Sequence, residues 1–373
     1  MQTAMRSAAY CERGHDGKIG VDFLWRKRLV AADNLRGKGG AAMEVGFFFW
    51  PYTPDLVRRM ATAADRYGFD LIGIADTPGN AMDPWVAATM VAEATERSRL
   101  AICVSNLVSR HPAVSAAAIA SLDLLAPNRA ILGVGTGHSG TTNIGLTRSG
   151  VAELAAGTAF IRQLLSARPA IWRGTEACLP WVQRSCPVFI AGSGPKALVA
   201  AGTVADGAFV NFGIAAENLD QTEAALIAAA CAASRAPSEI EIWQVAALDC
   251  HRDGTMSRRR IGAILAFMAA GYILQGDLAA RGVPAELHNA VVELKRRYST
   301  RPSDADAALV EDLGLFDYLA RRFAVYGTPE ECRAQMVAAQ AAGLRRVMFT
   351  VSLAADPVGT VELFGSEVLP ALM

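Results

Sequence analysis

From Glu44 onward the chain repeats one alternation: a short apolar run, a turn rich in glycine or proline, then a longer segment with apolar positions at helical spacing. The first run is 45–49, with Pro51 and Pro54 in the turn behind it. Across 55–67 the positions Leu56, Met60, Ala63, Ala64 and Tyr67 share one helical face, and Gly68 closes the segment. Further runs predict strands at 71–75, 100–104, 130–134, 188–191, 208–212, 240–248 and 347–352. Helices are predicted near 84–96, 115–125, 152–165, 195–204, 218–234 and 329–341. Strands that are apolar throughout are covered on both faces, and such strands pair in parallel. Eight of them between residues 45 and 352 predict an α/β fold of the (β/α)8 barrel type. An open Rossmann sheet competes, but no GxGxxG follows the first strand, where Phe49-Trp50-Pro51-Tyr52 stands instead.

Two stretches break the alternation. The interval 253–322 is too long for one helix and its loops: it holds an apolar helix at 261–274, a charged helical segment at 284–298 and an acidic linker at 303–317. It is expected as an insertion before the last strand, covering the active site or making a subunit contact. The stripe of Ile261, Leu265, Met268 and Tyr272 suits either use, and ordinary core packing equally. Residues 1–42 lack periodicity and carry Arg26, Lys27 and Arg28 in a row, then RGKGG. They are expected as a flexible extension, with a basic arm as the alternative, and the domain proper runs 43–373.

Composition narrows the function classes. A formal net charge of +0 gives no footprint for nucleic acid or an anionic membrane surface. No apolar run approaches the roughly 20 residues that span a bilayer, and the first forty residues hold no secretory h-region. The cysteines Cys11, Cys103, Cys178, Cys186, Cys231, Cys250 and Cys332 form no CxxC or Cys/His cluster, and their odd number opposes a disulfide framework. Reduced thiols in a cytoplasmic protein are expected, with no structural metal.

Candidate chemistry gathers where predicted strands end, the rim at which α/β proteins bind ligands. After the strand at 188–191 come Gly192, Ser193, Gly194, Pro195 and Lys196. Glycines let backbone N–H groups turn toward an anion, and Pro195 opens a helix whose N-terminus favours phosphate. The same letters also make a plain tight turn. After the strand at 130–134, GTGHS delivers Gly137, His138 and Ser139; the imidazole can exchange a proton near neutral pH or simply brace its loop. Asn106 and Arg110 follow the third strand, where an amide can bond a heterocycle edge and a guanidinium can hold an anion. Alternatively, Arg110-His111-Pro112 caps the next helix. Asp76 reaches the same rim after the second strand, while Asp83 before Pro84 has the setting of an N-cap. Phe48, Trp50 and Tyr52 suggest an apolar wall, which Trp85, Trp172 and Trp181 either join or leave for packing elsewhere.

Two stretches, AEATERSRLAICVSNLVSRHPAVSAAAIASLDLLAPNRAILGVGTGHS at 92–139 and PVFIAGSGPKALVAAGTVADGAFV at 187–210, carry a resemblance. The chain resembles the bacterial luciferase-like flavin- and deazaflavin-dependent oxidoreductases over roughly 43–352, especially the branch with the methylenetetrahydromethanopterin reductases. The resemblance implies a luciferase-like TIM barrel with its cofactor ring at the carboxyl rim. Gly192, Ser193 and Gly194 then hold the cofactor phosphate. Cys103 and Val104 fall on a bulged third strand where members often carry a non-prolyl cis peptide behind the ring, and Asn106 becomes a polar contact to it. Gly137 and Ser139 flank His138, where related members commonly show an acidic residue.

Deazaflavin users often carry a histidine after the second strand, whereas this chain reads Ile74-Ala75-Asp76-Thr77-Pro78. That departure directs the expectation to a monooxygenase using reduced FMN, delivered by a separate flavin reductase, and oxygen through a C4a-(hydro)peroxyflavin. His138 would hydrogen-bond or protonate the peroxide or substrate, Arg110 would position an anionic group, and Asp76 is the third catalytic candidate. The alternative is an F420-dependent reductase or dehydrogenase moving hydride at C5; a second is an inactive flavin-binding relative. A homodimer and a small organic substrate are implied as well.

Overall fold

The computed structural model describes residues 42–270, 276–299 and 306–372. Eight parallel strands close into a barrel: β1 (Glu44–Phe49), β2 (Leu71–Ile74), β3 (Arg99–Asn106), β4 (Ala130–Gly135), β5 (Val188–Ala191), β6 (Gly207–Val210), β7 (Glu241–Cys250) and β8 (Arg346–Thr350). Each pairs with the next in sequence, and β8 returns to β1 with Phe47 opposite Phe349. The (β/α)8 barrel read from the alternation is therefore the fold.

The period of two along each strand divides the core into layers. Val45, Phe47 and Phe49 of β1 pack outward against the helices, whereas Phe48, and Trp50 just beyond the strand, join the inner cluster. Leu71, Ala101, Ile131, Phe189, Phe209 and Trp243 fill the inner layer beneath the carboxyl rim. A filled floor leaves ligand space only at the top. The surrounding helices start at α1 (Pro54–Tyr67), α2 (Pro84–Ala94) and α3 (Pro112–Leu125), each with proline in its first turn. Thr53, Asp83 and His111 cap them, their side chains accepting from Leu56 N, Trp85 N and Ala113 N. α4 (Val151–Leu165), α5 (Pro195–Val204) and α6 (Ala216–Ala232) continue the ring.

Between β7 and β8 the chain makes α7 (Gly254–Met268), α8 (His288–Arg297) and α9 (Phe316–Phe323). α7 begins earlier than its apolar run because the Asp253 carboxylate accepts from Thr255 N and Met256 N. Ile261, Leu265 and Met268 are wholly buried in the protein's own core, so that stripe is packing; Tyr272 lies outside the described residues. Part of the acidic linker folds after all, since Leu309, Val310 and Leu315 are buried in the cluster that holds α7, and Phe316 opens α9. A ninth parallel strand, Ala324–Gly327, extends β7 at its carboxyl end, with Gly327 opposite Cys250. It and the small hairpin of Ala170–Trp172 with Thr175–Ala177 were absent from the sequence reading. α10 (Pro329–Ala341) then leads to β8. Among the described residues no helix is long and apolar enough to cross a membrane, and no cluster of His, Cys, Asp and Glu is arranged to hold a metal.

Candidate active site

A cavity of about 450 Å³ opens at the carboxyl rim of the barrel. That size suits a drug-sized ligand. Phe48, Phe209, Val245 and Met348 give it an apolar floor, and Trp50 and Phe267 a side wall, their rings 5.5 Å apart and edge to face. Phe267 belongs to α7, so the insertion supplies part of the site.

The third strand is irregular where it meets the cavity. The Cys103–Val104 peptide is cis, and the β3–β4 register slips between Ile102 and Ser105. Both residues line the cavity. The Cys103 thiol, 3.6 Å from the Met348 sulfur, is pushed well above the ordinary thiol range by burial, so it packs as a neutral group. Asn106 ends the strand with its Oδ1 fully committed, accepting from Val108 N, Ser109 N and Ser109 Oγ at 2.8–3.1 Å. That grip fixes the amide and leaves Nδ2 as the end available for donation to a ligand.

Asp76 lines the cavity after β2 and accepts a 2.7 Å hydrogen bond from Ser105 Oγ. Burial raises its pKa above the ordinary carboxyl value, against the opposing pull of Ser105 and Arg110. Next to it, Thr77 Oγ1 accepts from Trp50 Nε1 at 3.1 Å and lies 3.3 Å from Ser139 Oγ. This buried relay ties the first, second and fourth strand ends together. Gly137 turns the chain with φ +90°, and a side chain there would collide with Thr141 at 2.5 Å. His138 then faces the cavity. Burial, reinforced by the positive Arg148, lowers its pKa to about 4, so the imidazole is neutral at pH 7. The expected proton exchange near neutrality is corrected: desolvation removes the charged form.

On the opposite side Gly192, Ser193 and Gly194 line the cavity ahead of α5, with Lys196 exposed at its mouth. Arg281, from the chain between α7 and α8, donates from Nη1 to Ser193 O at 3.1 Å and to Ser193 Oγ at 3.3 Å. Asn211, beyond the end of β6, is 8% exposed and its Oδ1 has no hydrogen-bond partner among the described residues.

Arg110 does not join this group. Its guanidinium pairs with Asp83 at 3.1 Å and lies 5.4 Å over the Trp85 ring, outside the cavity lining. Asp83 both caps α2 and captures the cation, which corrects the role expected for Arg110. Tyr52 donates to Ser352 O, Trp172 packs against Phe160, and Trp181 is exposed, so of the aromatic candidates only Phe48 and Trp50 line the cavity. The sequence reading missed Thr77, Asn211 and Arg281. Asn211 carried a usable signal, a polar residue ending the run AFV at the same rim as Asn106. Arg281 carried none, because it sits in the insertion, outside any strand–helix repeat.

The luciferase-like monooxygenase family model matches residues 37–346. The chain belongs to this family. It is 25% identical over 338 residues to the 5,10-methylenetetrahydromethanopterin reductase of Methanolobus tindarius, covering 88% of this chain and 100% of that protein. The F420-dependent hydroxymycolic acid dehydrogenase of Mycobacterium tuberculosis is 30% identical over 201 residues, covering 47% of this chain and 52% of that one. In fold it is similar to the coenzyme F420 dependent tetrahydromethanopterin reductase from Methanopyrus kandleri, with TM-score 0.72, 21% identity, and coverage of 89% and 100%. The chain is a luciferase-like oxidoreductase. The expectation of an FMN- and oxygen-dependent monooxygenase is overturned, because the relatives matched in sequence include methylenetetrahydromethanopterin reductases over nearly the whole chain and an F420-dependent dehydrogenase. A missing histidine after β2 was insufficient ground for changing the cofactor.

Proposed function

We propose that this chain is an F420-dependent oxidoreductase that moves hydride between the deazaflavin C5 and a small organic substrate. The observation that carries the reading is the near-full-length similarity to pterin reductases, joined by similarity to a dehydrogenase that uses F420. The residues present fit such a cofactor. The cavity has an apolar floor for a ring and a rim with one fixed amide donor at Asn106 and one unpartnered acceptor at Asn211. Gly192 N–H donates to Phe209 O at 3.1 Å and fixes the turn, and the Gly194 N–H with the Ser193 hydroxyl stands at the start of α5 to receive an anionic side chain.

When bound, the deazaflavin supplies a carbon that gives or takes hydride. The protein supplies the rest. Cys103 and Val104 back the ring, Asn106 donates to its polar edge, and Gly137 and Ser139 shape the wall beside it. Asp76 lines the cavity and takes the substrate proton during oxidation or returns it during reduction, its carboxyl raised above the ordinary value by burial. His138 stays neutral and orients substrate by hydrogen bonding. The floor of Phe48, Phe209 and Met348 keeps water from the transfer path.

A hydride cycle of this kind needs no separate flavin reductase. We also assign a homodimer: α2 and α3 are apolar around much of their girth and expose Val86, Val114, Leu124 and Leu125. Sedimentation at the monomer mass would remove that assignment. The cofactor is tested by titrating F420 and reduced FMN anaerobically, then admitting oxygen. Tight F420 binding with no oxygen uptake is expected; binding of reduced FMN alone, followed by an oxygen adduct, would overturn the reading.

A further inference from the structure

The insertion brings two guanidiniums together beside the Ser193 turn. Arg322 of α9 is 3% exposed; it donates from Nε to Phe212 O at 3.0 Å and from Nη1 to Arg281 O at 2.8 Å and Tyr318 Oη at 2.6 Å. Tyr318 Oη in turn donates to Gly282 O at 3.2 Å. Two consecutive carbonyls, of Arg281 and Gly282, are thus gripped from α9, and the Arg281 backbone is fixed with its side chain across the Ser193 turn. Its Nη2 lies 3.2 Å from where a Cβ of residue 194 would stand, so Gly194 admits the guanidinium.

Neither arginine meets a carboxylate among the described residues, although both are partly or wholly buried. Arg281 is held below its ordinary pKa by burial and by the charge of Arg322. Guanidinium does not escape such a setting by deprotonating, so an anion is the group that relieves it. The bonds to Ser193 use Nη1 alone, which leaves Nε and Nη2 donors for a ligand.

We propose that Arg281 is a specificity-determining residue: with the Ser193–Gly194 turn at the start of α5 it forms one anion clamp that selects a deazaflavin carrying phosphate on its side chain over the same ring without it. The clamp is shared between barrel and insertion, and Arg322 is its positioning residue. The inference rests on the F420 reading above and extends it to a discrimination the barrel alone does not make.

The test is a fluorescence titration, without substrate, of oxidised F420 and of its chromophore cut back to the phosphate-free ribityl side chain. The unaltered protein should prefer the phosphorylated ligand, and Arg281→Ala should shrink that preference roughly ten- to a hundredfold. Affinity for the phosphate-free ligand should hold within about twofold, which doubles as the check that the cavity is intact. Arg281→Lys, which keeps charge but loses the planar fork, should fall between the two. An unchanged preference in Arg281→Ala, or equal weakening of both ligands, overturns the clamp and leaves the F420 reading standing. If the unaltered protein binds neither ligand, the F420 reading fails and the clamp fails with it.

Discussion

Acidification should act on this protein through His138 in particular. Burial, with Arg148 beside it, holds the imidazole at about 4 in the folded chain. Unfolding returns it to about 6.5, and at about 1.36 kcal/mol per pH unit the gap is worth about 3 kcal/mol. That figure is a ceiling, since the ring borders an open cavity. The sign follows from proton counting: between those pH values the unfolded chain binds a proton that the folded chain refuses. Stability is therefore at its full value above about pH 6.5 and is lost as pH falls toward 4. Urea unfolding of the unaltered protein and of His138→Gln, at steps from pH 7.5 to about 4, isolates this contribution. The unaltered protein should lose up to about 3 kcal/mol more than the variant over that range. Proton NMR supplies a direct reading, because the chain has 5 histidines and His138→Gln removes one ring from the spectrum. A vanished resonance that titrates near 6.5 would refute the argument, and with it the neutral, orienting role of this imidazole.

The other site residues give readouts of their own. Ser105→Ala removes the 2.7 Å donor that favours the Asp76 carboxylate, so the pH limb set by Asp76 should move up by about one unit. An unmoved limb, or one that survives in Asp76→Asn, would take the proton-carrying role away from Asp76. Arg110→Ala breaks a half-exposed pair with Asp83 and should cost no more than about 1 kcal/mol of stability, leaving kcat/KM within about twofold. A loss of about tenfold or more in kcat/KM would return Arg110 to the site.

The barrel was legible because its signal is repeated eight times and does not depend on exact boundaries. Each parallel strand must be apolar on both faces, and each must end in a turn at the same rim. Gly137, His138, Asn106 and Ser193 stand at such ends, so their place on the cavity could be read before any geometry was known. Arg110 misled because a guanidinium four residues beyond the end of β3 has closer claims on it: Asp83, needed to cap α2, lies within reach. Thr77 was invisible for another reason. Its part in the site comes from Trp50 and Ser139, residues 27 and 62 positions away, and no local pattern records such a meeting. Insertions carry the least information of all. The 261–274 run announced a helix, but the placing of Arg281 depends on Arg322 and Tyr318 of a different helix gripping its turn.

The error over the cofactor has a physical lesson in Asp76. A histidine at the rim was treated as a signature of deazaflavin chemistry, and its absence as a reason to prefer FMN. The requirement of hydride chemistry is a proton carrier that titrates near the working pH, and imidazole meets it by intrinsic pKa alone. Losing water moves a carboxyl upward in pKa, the direction in which burial in the cavity shifts Asp76. The same desolvation drives the actual histidine, His138, in the opposite direction and takes it out of that role. One environment thus raises the carboxyl and lowers the imidazole. Residue type at a strand end therefore identifies a proton carrier only together with its burial, and burial is a property of the folded rim rather than of the local letters.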